Sequence, residues 1–240
     1  MELKNIALHT TYKLTKTDLK QCIQIGKQRY MNNRKSNVKE QKYTSFKSGV
    51  DISIQGVIGE YSLLHLFDLD KSVLLNTKPN SRKNDRGDMI FNKLKVDIKC
   101  PEGNHCPLQT RAESLTYPSD IYALCTIQRN VPKTSFKGNT TCTYNEDEDV
   151  IVEFHGCVIS QDLFKPNHLV SKWNKMFYVY PQNKLVTLKE AADKILLSTT
   201  SNTTTSTTTN TTTTASTSTT TASTSTTTTS NTTTTSNTTT

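Results

Sequence analysis

Gly56-Val-Ile-Gly-Glu-Tyr-Ser-Leu-Leu-His-Leu-Phe67 has the pattern of a helix that packs against a core. Val57, Tyr61 and Leu64 recur at helical spacing and form an apolar stripe. At about 100° per residue, Glu60 lies only about 60° from Val57 around the helix. Its carboxylate is therefore expected to point toward the buried side, where it needs a cation or a hydrogen-bond donor.

Two runs of alternating character follow this helix, Gly87-Asp88-Met89-Ile90-Phe91 and Leu94-Lys95-Val96-Asp97-Ile98-Lys99, separated by Asn92-Lys93. They predict a β-hairpin with a two-residue loop. In that register Asp88 stands opposite Asp97, with Cβ atoms about 5 Å apart. Two like charges at this distance repel by roughly 3 kcal/mol at an effective dielectric of about 20. A divalent cation would convert the repulsion into a binding site.

Lys99 lies two residues beyond Asp97, on the same face of the second predicted strand. Leu94, Val96 and Ile98 point to the other face and into a core. The three pieces of sequence are therefore expected to bring three carboxylates and one lysine to a single place.

In this order, Gly-Glu on a helix, Gly-Asp, and Asp-x-Lys at the end of a strand resemble the PD-(D/E)XK nucleases, the restriction-endonuclease-like superfamily. The motifs cover roughly the middle third of the chain. A looser likeness to phage and large DNA virus members extends to Leu197, through a strand that ends in His155-Gly156 and the segment Ser160-Gln-Asp-Leu163 after it. Gly87 stands where the family name has proline, which matters little because only Asp88 would hold metal.

The resemblance implies a nuclease that hydrolyses phosphodiester bonds, most readily in DNA, that is, a Mg²⁺-dependent deoxyribonuclease. It implies one or two Mg²⁺ ions, replaceable by Mn²⁺, with four metal ligands: Asp88, Asp97, the backbone carbonyl of Ile98, and Glu60. Lys99 would orient the attacking water or stabilise the transition state, so the catalytic set is Glu60, Asp88, Asp97 and Lys99. Mg²⁺ suits such a set because it keeps several waters and needs only one or two carboxylates.

Two other classes of function stay open. One is a catalytically silent nucleic-acid binding protein with the nuclease fold, and the other is a metal-dependent phosphohydrolase of small nucleotides. Each residue also has a structural interpretation, since Asp88 could cap a turn, Asp97 and Lys99 could form a surface ion pair, and Glu60 could border a helix stripe. A pure binder has no reason to place two carboxylates near a phosphate, which favours the enzyme.

Composition divides the 240-residue chain into three segments. Residues 1–50 are predicted to be a helical and basic segment packed on the core, and residues 51–197 an α/β core with a mixed central sheet flanked by helices. Residues 198–240 contain only Ser, Thr, Asn and Ala, and are predicted to be disordered. The 29 basic and 21 acidic residues therefore all lie in the body, whose net charge of +8 favours a polyanionic partner such as DNA.

Outside the central stretch the pattern predicts two further helices and three strands, which are a helix near 17–25, strands at Ile121–Ile127, Val150–Ile159 and Phe177–Tyr180, and a helix from Thr187-Leu-Lys-Glu190 through Leu197. The strand at Ile121–Ile127 is apolar on both faces, which is typical of a central strand covered on both sides. A lone histidine at a strand end, such as His155, is typical of a structural role.

Pro107 to Leu115 is predicted to be a short helix or a loop over the site. Within it, Gln109 and Arg111 are candidate substrate-binding residues. They do not form the Gln-x-x-x-Tyr pattern of some exonuclease relatives, which weakens an exonuclease assignment.

The chain has neither the pattern of a signal peptide nor an apolar run long enough to span a bilayer, so the sequence predicts a soluble, intracellular protein with no membrane partner. If the protein is viral, the expected location is the cytoplasm or nucleus of a host cell. The sequence leaves open whether the protein forms a homodimer. Six cysteines without paired spacing are typical of reduced thiols. Cys100, His105 and Cys106 could be zinc ligands, but they lack a second pair at a matching distance.

Overall fold

The computed structural model describes residues 4–36, 48–75, 88–103, 105–129, 143–172 and 174–205. The chain divides into two compact units, Met1–Ser201 and Asn202–Thr240, and the sheets and the candidate site belong to the first. The predicted α/β class with a mixed sheet and helices is confirmed. Gly87, the basic run at 37–47 and most of the Ser/Thr/Asn-rich segment lie outside the described residues.

The described residues of the chain form eight strands and a set of helices. The strands are β1 Thr10–Lys13, β2 Met89–Phe91, β3 Leu94–Lys99, β4 Leu108–Arg111, β5 Ile121–Arg129, β6 Val150–Ile159, β7 Leu169–Lys172 and β8 Lys175–Tyr180, and the α-helices are α1 Lys16–Lys35, α2 Gly49–Leu66, α3 Ser160–Leu163 and α4 Leu188–Thr205. A five-stranded sheet has the order β1-β6-β5-β3-β2, in which β3 and β5 run parallel and the other pairs are antiparallel. A second, antiparallel sheet has the order β4-β8-β7.

The predicted hairpin is present as β2 and β3. Phe91 pairs with Leu94 across a two-residue loop, in which Asn92 and Lys93 have φ angles of 49° and 67°. Two consecutive positive φ angles are the signature of the type I′ turn, whose twist matches that of the flanking strands. The register is therefore fixed by the turn, and it places Asp97 and Lys99 on one face of β3.

β5 is the central strand and separates two apolar cores, as its pattern predicted, but the predicted cover of helices is found on one face, while β4 and β8 pack with the short helix α3 on the other. Ala123 and Cys125 belong to the core that includes residues of α1 and α2. Tyr122 and Leu124 belong to a second core between the five-stranded sheet and β4 and β8. Because Asp97 pairs with Tyr122 in the parallel ladder, the charged face of β3 is the face of this second core.

Two glycines let the helices approach closely. A Cβ on Gly26 of α1 would lie 2.6 Å from the Cα of Ile54 in α2, and a Cβ on Gly59 of α2 would lie 2.6 Å from the Cβ of Cys100 at the end of β3. Real Cβ atoms do not tolerate such contacts, so the two glycines allow α1 to pack on α2 and α2 to reach β3. The helical residues that follow Gly26 and Gly59 are thereby held near the end of β3.

The structure corrects several sequence-based expectations. Pro107–Leu115 is neither a helix nor a loop at its start, because β4 pairs with β8 there and buries Leu108 and Thr110 before a short 3₁₀ helix begins at Ala112. β1 and β7 were not predicted. α1 runs on to Lys35, well past the predicted end.

The last helix also runs past its predicted end at Leu197 and ends at Thr205. The hydroxyls of Ser198 and Thr199 donate hydrogen bonds to the carbonyl of Ile195, at 2.7 and 2.9 Å. Hydroxyl side chains can thus bond the preceding turn instead of ending the helix, so a Ser/Thr-rich composition alone does not place the boundary. None of the helices in the described part of the chain is long and apolar enough to cross a membrane.

Candidate functional site

The candidate site begins at Asp88, the residue before the first residue of β2. The backbone N–H of Asp88 donates to the Val96 carbonyl at 2.9 Å, and its Oδ2 accepts a hydrogen bond from the Ile98 N–H at 2.7 Å. A regular ladder would give that N–H a backbone carbonyl, so the carboxylate replaces the ladder at this point. The pairing thus follows the predicted register through Met89 but does not continue as a ladder pair between Asp88 and Asp97. At Asp88 the backbone N–H and the side chain both bond to β3.

The Ile98 carbonyl faces the same side as the Asp88 carboxylate. In a strand the N–H and C=O of one residue point in the same direction across the ladder. Since the Ile98 N–H points to Asp88, away from β5, the Ile98 carbonyl points the same way. On that side the ladder with β2 does not extend beyond the Met89–Val96 pair. A backbone oxygen and a carboxylate are therefore available at one strand edge.

Asp97 and Lys99 form an ion pair along one face of β3. Lys99 Nζ lies 2.5 Å from Asp97 Oδ2, and the two side chains are 33% and 23% exposed. Asp97 Oδ2 is enclosed, and the ammonium of Lys99 is its close neighbour. A divalent cation that binds this oxygen would have to displace the ammonium.

Glu60 is buried on α2, as its position beside the apolar stripe predicted. Its partner is Arg29 of α1, whose Nη1 lies 2.7 Å from both carboxylate oxygens. No role for Arg29 was predicted from the sequence. The feature that could have indicated one is its position one turn after Ile25 and Gly26, on the buried face of α1, because an arginine on an apolar face needs an acidic partner.

The charges of these residues act on one another. Burial, and then the negative charges of Glu60 and Asp97, raise the pKa of the Asp88 carboxyl well above its usual range, against the opposing effect of Lys99. Burial also raises the pKa of Glu60, although Arg29 lowers it, and Asp97 adds to the rise. Burial lowers the pKa of Lys99, but Asp97 and Asp88 outweigh it and raise the value above normal. Glu60, Asp88 and Asp97 therefore act on one another and on Lys99 electrostatically, although their carboxylate oxygens do not all lie within 4.8 Å of one another. A divalent cation that drew them together would relieve their repulsion.

Gln109 and Arg111 lie on β4, in the second sheet. Gln109 Oε1 accepts a hydrogen bond from Lys172 at 3.4 Å, and Arg111 Nη1 lies 3.5 Å from the Glu113 carboxylate. Neither contact links these two residues to the carboxylates at the end of β3. Their role in binding substrate stays a prediction.

Removing Arg29 should destabilise the protein by leaving Glu60 buried without its counter-ion. We expect Arg29→Ala to lower the free energy of unfolding at neutral pH by about 3 kcal/mol. Without Arg29 the pKa of Glu60 in the folded state rises further above its unfolded value. The loss should therefore be largest above that raised pKa and should shrink as the pH falls toward the unfolded value, where both states are protonated. Urea unfolding at several pH values measures it.

The double variant Arg29→Ala/Glu60→Gln provides the internal check, because a neutral amide no longer needs the guanidinium. It should recover most of the lost stability, and Lys27→Ala, an exposed basic position on the same helix, should change little. An Arg29→Ala loss that is independent of both pH and Glu60 would mean that Arg29 contributes through packing alone.

The sequence model of one protein family, described as a family of unknown function (DUF5843), matches residues 4–198 of the chain. No curated protein matches the chain, and no solved structure matches it. The matched range contains all the residues of the candidate site.

Proposed function

The chain belongs to this family of unknown function, and from the chemistry of its site we propose that it is a metal-dependent nuclease that hydrolyses phosphodiester bonds in DNA. We further propose that the five-stranded sheet with α2 is a restriction-endonuclease-like core. The observation that carries the proposal is the placement of the Asp88 carboxylate and the Asp97–Lys99 ion pair at the end of β3, with Glu60 buried on α2 and close enough to act on their charges. The sequence pattern alone predicts each of these side chains as part of the site.

The donor set fits Mg²⁺ or Mn²⁺. Asp88, Asp97 and the Ile98 carbonyl would hold the ion, with Glu60 as a further ligand directly or through water. All four donors are oxygens, which hard divalent cations prefer, and the ion would take the place of the Lys99 ammonium at Oδ2 of Asp97. When bound, the ion lowers the pKa of a coordinated water and neutralises charge on the phosphate.

The protein side chains supply position and charge. The Ile98 N–H fixes the Asp88 carboxylate against β3, and Arg29 fixes Glu60 on α2. Lys99 is half-buried and cationic, so its ammonium can orient the attacking water or stabilise negative charge on the phosphate in the transition state. A net charge of +8 favours a polyanion over a small neutral substrate.

The proposal is tested by incubating the purified full-length chain with linear, circular and single-stranded DNA, with RNA, and with nucleoside triphosphates. Each substrate is assayed with Mg²⁺, with Mn²⁺ and with a chelator. We expect DNA to be cut with Mg²⁺ or Mn²⁺ and to stay intact with the chelator. Cleavage of circular DNA would identify an endonuclease.

Two results would redirect the assignment. DNA binding that weakens steeply with salt but never leads to cleavage would indicate a silent binding protein with this fold. Hydrolysis of nucleoside triphosphates with no action on DNA would indicate a phosphohydrolase of small nucleotides.

A further inference from the structure

β6 departs from regular pairing with β5 at His155. Leu124 pairs with Gly156 and the next residue, Cys125, pairs with Phe154, so His155 is the extra residue of a β-bulge. Gly156 has a φ angle of 127°, a conformation that side chains rarely allow. The imidazole of His155 is buried beside Glu153, which lies two residues earlier in the same strand.

His155, Glu153 and His9 bring three ligand atoms together. His9 Nδ1 lies 2.8 Å from Glu153 Oε1, His155 Nδ1 lies 3.7 Å from the same oxygen, and the three ligand atoms all lie within 4.8 Å of one another. In a tetrahedral zinc site, ligands about 2.0 Å from the ion lie about 3.3 Å from each other. The distances of 2.8 and 3.7 Å from the two histidine nitrogens to Glu153 Oε1 bracket this value, and the two nitrogens lie within 4.8 Å of each other. Movement of the exposed His9 side chain would therefore bring all three atoms around one ion.

Second contacts already orient two of these groups. Thr126 Oγ1 lies 2.8 Å from His155 Nε2, and the side-chain amide nitrogen of Gln182 contacts His155 Nδ1. An amide nitrogen only donates, so Nδ1 is the acceptor and Nε2–H donates to Thr126. The lone pair of His155 Nδ1 is therefore directed at Gln182, which a metal ion would have to displace. Gln128 Nε2 holds the other oxygen of Glu153 at 3.4 Å. Metal-binding histidines and carboxylates are held by such outer contacts.

We propose that His9, Glu153 and His155 bind Zn²⁺. Two imidazoles and one carboxylate are borderline ligands that suit Zn²⁺ better than Mg²⁺. His9 is 64% exposed, so the cluster is open to solvent on one side and water can complete the coordination. The ligand atoms of His9, Glu153 and His155 lie close enough together for one ion. Among the described residues, Cys100, His105 and Cys106 do not form such a group.

The zinc site lies apart from the proposed nuclease site. Lys99 pairs with Leu124 in β5, whereas Glu153 in β6 pairs with Thr126 of β5. The two sites are thus two strands apart, about 10 Å across the sheet, and about 7 Å further along it. Zinc binding can therefore be tested without reference to nuclease activity.

The test is calorimetric titration of chelator-treated, full-length protein with Zn²⁺, together with the absorption spectrum of the Co²⁺ form. We expect one Zn²⁺ per chain, bound far more tightly than Mg²⁺, and a Co²⁺ spectrum without sulfur-to-metal charge transfer. His9→Asn should weaken Zn²⁺ binding by about 100-fold or more, since loss of an outer contact alone costs 10- to 100-fold. Asparagine is chosen because His9 has a φ angle of 63°, which asparagine tolerates.

Three controls decide the outcome. Thr126→Val removes the outer contact and should weaken binding by about tenfold. His65→Asn, at an exposed histidine of α2, and Asp97→Asn should leave Zn²⁺ binding unchanged. The proposal is overturned if the parent chain binds no Zn²⁺, if His9→Asn binds it as tightly as the parent, or if binding is lost in Cys106→Ser or Asp97→Asn instead.

Discussion

Asp97→Asn is expected to abolish Mg²⁺-dependent cleavage and to remove the stabilisation that Mg²⁺ gives the folded parent protein. A ligand that binds only the native state adds RT ln(1 + [L]/Kd) to the free energy of unfolding, about 1.4 kcal/mol for 10 mM Mg²⁺ if Kd is about 1 mM. For a domain of this size that is a rise of a few degrees in Tm. The variant should lose this rise, because asparagine keeps the shape of the side chain but loses the charge that binds the ion.

Without metal the same substitution should change stability little. It removes the negative charge that helps to raise the pKa of Asp88 and Glu60, which is stabilising. It also removes the carboxylate partner of Lys99, 2.5 Å away, which is destabilising. Partly exposed pairs contribute little net free energy, so we expect the two effects to cancel within about 1 kcal/mol.

The matched control is Asp193→Asn, an exposed aspartate that pairs with Lys189 one turn away on α4. It should keep both full cleavage and the Mg²⁺-induced rise in Tm. If Asp97→Asn unfolds more easily than the parent without metal, and Mg²⁺ does not stabilise the parent, Asp97 is a structural partner of Lys99. The nuclease proposal would then have to be abandoned.

The hairpin shows how far local sequence can predict a site. Asn92 and Lys93 adopt positive φ angles, so the turn fixes the pairing register and hence the faces of Asp97 and Lys99. The alternation of residues in β3 was enough to separate its charged face from its buried face. Burial of Glu60 followed from helical periodicity alone.

Contacts between distant segments could not be predicted in this way. The Arg29–Glu60 pair depends on Gly26, which brings α1 against α2, and no local pattern measures that approach. In the His9–Glu153–His155 cluster, Glu153 and His155 lie two residues apart and share a face of β6, as strand alternation alone predicts, but His9 belongs to a distant segment. Taken alone, His155 predicts a structural histidine, and only the pairing of β1 with β6 brings His9 to it.

Lys99→Ala is expected to lower turnover by about 100-fold or more while leaving Mg²⁺ binding intact, since loss of one group that stabilises transition-state charge has an effect of this size. The Lys99 ammonium lies 2.5 Å from Asp97 Oδ2, the oxygen that a metal ion would need. Removing the ammonium therefore removes a competitor for the carboxylate. The Mg²⁺-induced rise in Tm should be at least as large in this variant as in the parent, even though cleavage is nearly lost.

That combination separates the chemical role of Lys99 from a structural one. Lys95→Ala is the matched control, because Lys95 lies on the same strand and the same face but is exposed. It should keep both turnover and the Mg²⁺ response, as measured by single-turnover cleavage with saturating metal and by thermal unfolding. If Lys99→Ala keeps parental turnover, Lys99 serves only as the counter-ion of Asp97 and Asp88. If it loses turnover and the Mg²⁺ response together, the lysine maintains the site rather than acting on the substrate.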